Sequence, residues 1–125
     1  MRYAIFCYQA EGDVCAMSKE QDDAMMAELL KAQGSISKKT KFGPVARLMP
    51  TTAATTVREG RELVVLDGPF AETKEQLLGF YVVDCATLEE AVEAAKTLAG
   101  PRAALGFTGA LEIRPMQYFD QGATL

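Results

Sequence analysis

The chain has 125 residues, of which 49% are hydrophobic and 24% charged, and it carries a net charge of −4. This size fits one folded domain, 1–125, with a core of its own, and the composition excludes a disordered chain. The acidic balance argues against binding along a nucleic-acid backbone, which needs clustered Lys and Arg.

The N-terminal run Met1 to Gln9 is too short and too closely followed by polar residues for a signal peptide, and reads as a strand. Tyr3, Ile5 and Cys7 fall on one face of it, Ala4, Phe6 and Tyr8 on the other, as in a strand buried on both sides. A loop with Glu11-Gly12-Asp13 follows. Ser18 and Gln21 form a capping-box pattern that starts a helix, in which Ala24, Met25, Leu29 and Ala32 recur at helical spacing. Gly34 is placed to end it as a left-handed cap. The methionines read as flexible core filler. Lys38-Lys39-Thr40-Lys41 is the one dense basic cluster, and it reads as a solvated loop.

Val45 to Met49 is a short strand bracketed by Gly43-Pro44 and Pro50. Val57-Arg58 and Glu62 to Leu66 flank the turn signal Glu59-Gly60 and read as a hairpin. Asp67-Gly68-Pro69 punctuates the end of its second strand. Leu77 to Cys85 is a further strand, apolar on both faces. Thr87 with Glu90 caps a second helix whose apolar face is Leu88, Ala91, Val92, Ala95 and Leu98, and Gly100-Pro101 stops it. Ala110 to Arg114 alternates apolar and polar as a half-exposed strand should.

The order is βαββαβ with an additional hairpin. It predicts an α+β, ferredoxin-like antiparallel sheet with two helices on one face. Two helices cover one face only, while three of the strands are apolar on both. The second face needs a cover larger than a monomer supplies, and a second copy of the same sheet is the simplest one. The expectation is a homodimer. No apolar run approaches the ~20 residues that span a bilayer, so the expected compartment is the cytoplasm, with no membrane and no nucleic acid as partner.

Cys7, Cys15 and Cys85 are odd in number and widely spaced. They form no C-x-x-C pair, so neither a disulfide framework nor a metal site is signalled and no cofactor is called for. The chain has no histidine. It therefore cannot build its own Ser-His-Asp or Cys-His arrangement, and it lacks the side chain best suited to proton transfer near neutral pH.

The string Asp67-Gly68-Pro69-Phe70-Ala71-Glu72-Thr73-Lys74-Glu75, running into "QLLGFYVVDC", resembles the signature of the DGPF branch of the YCII-related proteins. "MRYAIFCY", "ATTVREGRELVV" and "LEIRPMQYF" are similar to it as well, so the resemblance covers most of the chain. It implies a dimeric α/β barrel, two ferredoxin-like sheets facing each other. Some DGPF proteins are encoded beside or fused to sigma factors of the extracytoplasmic-function type. Other YCII-related proteins resemble small lyases or dehydrochlorinases with a His-Asp pair. Without histidine that pair does not carry over, and Asp67 alone matches its carboxylate half.

Asp67-Gly68 is a favourable turn dipeptide, and Pro69 adds a rigid step. Phe70 is expected to anchor the turn in the core beneath it. The charged remainder is not demanded by turn geometry. Asp67 and Glu72 are the candidate acid/base residues, with Lys74 beside them at the mouth of a cleft. Arg58 and Thr56 share a strand face near Asp67, where an arginine would hold a ligand carboxylate or staple the sheet. Tyr8 and Tyr81 are candidate hydroxyl donors to a ligand. Two function classes stand open: a dimeric module that binds a small carboxylate or phenolic ligand or a partner protein, accessory to transcription; and a cofactor-free lyase- or monooxygenase-like enzyme.

Overall fold

A computed structural model describes residues 1–122. β1 (Arg2–Gln9) leads through a short helix α1 (Glu11–Cys15) to the long helix α2 (Lys19–Ser35) and then to β2 (Lys41–Arg47). A 3-10 turn over Thr51–Ala53 precedes β3 (Thr55–Arg58) and β4 (Val64–Asp67). β5 (Gln76–Asp84), α3 (Leu88–Ala104) and β6 (Ala110–Pro115) follow. The main sheet has the order β2-β5-β1-β6 with every pair antiparallel. With the two long helices between its strands this is the expected α+β, ferredoxin-like arrangement. β3 and β4 form a separate two-stranded sheet.

Strand periodicity sorts the side chains. Ile5 sits opposite Tyr81 on one side and Ile113 on the other, while Phe6 sits opposite Phe80 and Glu112. Odd residues of β1 thus point to the helices. Tyr3, Ile5, Cys7, Tyr81 and Val83 pack against Ala91, Ala95 and Leu98 of α3, and Phe42 and Ile113 close the cluster. Ile5, Val83 and Leu98 are fully buried. α2 adds Met25 and Leu29. Its start is a complete capping box: Gln21 N–H donates to Ser18 Oγ (3.1 Å) and Ser18 N–H to Gln21 Oε1 (2.9 Å).

Several boundaries differ from the sequence reading, each because packing outweighs a local signal. Gly43-Pro44 lies inside β2 rather than before it. β2 is an edge strand with a bulge between Phe42 and Val45, where a proline is tolerated. α3 runs through Gly100-Pro101 to Ala104. Continuing the helix buries Arg102 on the stripe of Ala91, Ala95 and Leu98, and Gly106 at φ 83° is the left-handed residue beyond it. Gly34 is not left-handed, and α2 ends one residue later. α1 was expected as loop. Five residues hold no helix by propensity alone, and its first amide, Glu11 N–H, donates to Gln76 Oε1 across the fold (2.8 Å).

Gly79 lets two strands come close. A Cβ there would stand 2.3 Å from the Ala46 carbonyl oxygen, so β2 and β5 approach only because the side chain is absent.

The helix layer is tied to edge strand β2 by a two-pronged ion pair. Arg47 Nη1 and Nη2 donate to Asp22 Oδ2 and Oδ1 at 3.1 and 2.8 Å. The hydrogen bonds and charge of Arg47 hold the Asp22 carboxyl below its ordinary range, against a smaller opposing effect of burial. A depressed carboxyl adds stability above its unfolded-state pKa and loses it as pH falls through the folded-state value. The pair is partly exposed, so Asp22→Asn is expected to cost about 0.5–1 kcal/mol at neutral pH. In urea melts the gap to wild type should close as pH falls through and below the carboxylate range; a gap independent of pH would contradict this.

Candidate functional site

The second face of the sheet is less bare than expected. Ala4 and Val82 are buried. Arg114 lies over the Phe6 ring at 5.8 Å, and Arg2 over the ring of Phe119 at 4.9 Å. The large exposed apolar surface is instead on the hairpin and the segments flanking it. Val57, Val64 and Leu66 are exposed, and Leu63 and Val65 are 72% and 66% exposed. Both sides of β4 face outward.

Where the hairpin returns to the sheet there is a cavity of about 620 Å³. Tyr8, at the end of β1, forms one wall, and Phe70 and Glu72, from the loop after β4, form another. Three segments are cross-linked around it. The Glu11 carboxylate accepts hydrogen bonds from Thr51 N–H (2.9 Å) and from Thr51 Oγ1. The Gln76 side chain accepts from Glu11 N–H and donates through Nε2 to the Thr73 carbonyl. The loop is thus held at one end by Gln76. At the other, Gly68 N–H donates to Ala54 O (2.7 Å) and Thr56 Oγ1 to Gly68 O (2.8 Å).

The structure brings together Tyr8, Phe70 and Glu72 of the residues singled out from the sequence. Phe70 is not the expected core anchor: it is 74% exposed at the cavity rim. Asp67, Arg58 and Lys74 are exposed and outside the lining. Asp67 pairs with Thr55 and Arg58 with Val64, so the two stand at opposite ends of the hairpin. Tyr81 is buried on the helix side of the sheet, its ring edge-on to Phe42 at 6.1 Å. Burial, with a smaller effect of Cys7, pushes its phenol up. Glu11, Thr51 and Gln76 were not singled out, because no local pattern shows three segments meeting. The lining carries three carboxylate residues, Glu11, Glu72 and Glu75, and no Lys or Arg.

A family profile for the YCII-related domain matches residues 1–117. The chain belongs to the YCII-related family. It is also 48% identical to an uncharacterised protein of Rhizobium meliloti (strain 1021) over 123 residues, covering 98% of this chain and 97% of that one. In this YCII-related protein no group of three His, Cys, Asp or Glu side chains gathers as for a metal ion, among the described residues. No helix among them is long and apolar enough to cross a membrane.

The turn at the head of the loop combines the two hydrogen bonds of Gly68 with a left-handed backbone. Gly68 has φ 89°, with nothing within 4 Å of a Cβ placed there. Gly68→Ala should therefore cost about 1–2 kcal/mol through left-handed strain alone. Asp67→Asn should change stability by no more than about 0.5 kcal/mol, since the side chain is exposed. Denaturant melts of both variants check this. A loss of several kcal/mol in Asp67→Asn would make Asp67 architectural.

Proposed function

We propose that this YCII-related protein is a cytoplasmic homodimeric module that binds a small neutral phenol-type ligand in the cavity between Tyr8 and the Phe70–Glu75 loop. The observation that carries the reading is the composition of that wall. An exposed phenylalanine and a half-buried tyrosine offer aromatic contact. Carboxylates offer acceptors for a ligand hydroxyl, and no lining side chain is positively charged. A ligand carboxylate would meet like charge there, so of the two ligand classes expected from the sequence the phenolic one fits better.

The second copy is supported by the hairpin. A two-stranded sheet is marginal in water by itself. This one exposes valines and leucines on both faces and pairs with no further strand among the described residues. A two-fold partner would bury that surface and shield the adjoining cavity. The string Asp67–Glu75 supports placing the chain in the DGPF branch. The occurrence of such proteins beside sigma factors makes an accessory role in transcription the natural setting for a ligand-reading module. The dispersion of Asp67, Arg58 and Lys74 favours a module over a lyase- or monooxygenase-like enzyme, which would need them gathered around one reacting centre.

Light scattering should give twice the 13.5 kDa chain mass, and Leu63→Lys with Val65→Lys should return the protein to a monomer. A stable monomer of the unaltered chain would overturn the dimer. Phenol and catechol should raise the melting temperature of wild type, and Tyr8→Phe and Glu72→Gln should weaken that rise. No rise, or a rise equal in all three proteins, would overturn the ligand assignment.

A further inference from the structure

A second cavity, of about 280 Å³, lies on the other side of the sheet, between β2, β5 and the helices. Its chemistry is the reverse of the first. Arg102, on the buried stripe of α3, lines it and is only 9% exposed. Nε and Nη1 of this arginine are sealed from solvent and meet no acceptor among the described residues. No carboxylate pairs with it among them either. A buried guanidinium without a counter-charge is costly, and native structures rarely keep one.

The neighbouring groups do not supply the missing anion. Cys7 faces Arg102, whose charge and weak donation toward the sulfur draw the thiol downward, yet burial outweighs both and holds it above its ordinary value. It is therefore a neutral thiol at physiological pH. Glu11 lines the cavity, but its carboxylate is bound to Thr51. Arg47 also lines it and is bound to Asp22. The remaining walls are largely apolar, with Met25, Met49 and Leu78 foremost. Among the described residues the lining thus holds two charges without an ion-pair partner, the buried Arg102 guanidinium and the Glu11 carboxylate turned to Thr51, amid hydrocarbon and thioether surfaces.

We propose that this cavity binds a small organic carboxylate, with Arg102 as its counter-ion and the methionines and Leu78 around its apolar body. Arg102 offers the ligand carboxylate the compensating charge of its guanidinium, through Nη2, the nitrogen that is not sealed. Drug-sized ligands occupy roughly 300–1,000 Å³, so the ligand here is smaller, in the class of short-chain or simple aromatic carboxylates. The proposal does not rest on the phenol reading. The two cavities lie on opposite sides of the sheet and their key side chains differ.

Butyrate and benzoate test it, with butyramide and benzamide as uncharged controls. At about 10 mM each acid should raise the wild-type melting temperature by about 2–4 °C, and neither amide should. Arg102→Met should lose the rise, and Arg102→Lys should keep only part of it. Because a variant at a buried site can fail to fold, the second measurement uses the unaltered protein. With methionine methyls labelled for NMR, both Met25 and Met49 resonances should move on titration with benzoate and stay fixed with benzamide. The proposal is overturned if the acids give no shift by either method. It is also overturned if the rise survives in Arg102→Met, or if inorganic phosphate matches the acids.

Discussion

A four-stranded sheet has two faces, and this chain brings long helices to only one of them. The central cluster around Ile5, Val83 and Leu98 fills the middle of the helix side. The other side is handled piecemeal. Small residues bury themselves near the Ala4 end, and two arginines lie over Phe6 and Phe119. The hairpin of β3 and β4 then carries five of the ten exposed valines and leucines among the described residues. Burial of that surface is worth far more than any of the exposed ion pairs. It is therefore the feature that most needs a partner.

The same topology separates two chemistries. Neighbouring residues of β5, Leu77 and Leu78, line different cavities, as alternation and the local bulge require. Glu11 touches both. On one side the walls carry carboxylates and aromatic rings. On the other a buried guanidinium stands among sulfur and hydrocarbon. Because Glu11 is held by Thr51, and its amide by Gln76, the short helix α1 fixes the rim of each cavity at once.

The fold was largely legible. Capping residues Ser18 and Thr87 marked both helix starts, and alternation separated the two faces of β1, while packing decides that Tyr3, Ile5 and Cys7 are the ones that meet the helices. What failed were signals that tertiary packing overrides. Gly100-Pro101 reads as a stop, yet the helix continues and carries Arg102 inward. A reader who ends the helix there leaves Arg102 on the surface and misses the second cavity. Phe70 follows a turn, and a large aromatic there suggests an anchor, but its loop projects outward. Of the candidate site, Phe70 and Glu72 were found because they belong to a string too specific for a turn alone, and Tyr8 because a tyrosine on a strand can offer its hydroxyl to a ligand. Glu11, Thr51 and Gln76 come from three distant segments, and only their hydrogen bonds reveal that they meet.

The central claim is that the hairpin is covered by a second copy of the chain. Hydrogen exchange of the β3 and β4 backbone amides, followed over a wide range of protein concentration, tests it most directly. If the claim is right, these amides exchange slowly in concentrated protein and speed up on dilution, while β1 and β5 stay protected throughout. Rapid exchange of the hairpin amides at every concentration would contradict it.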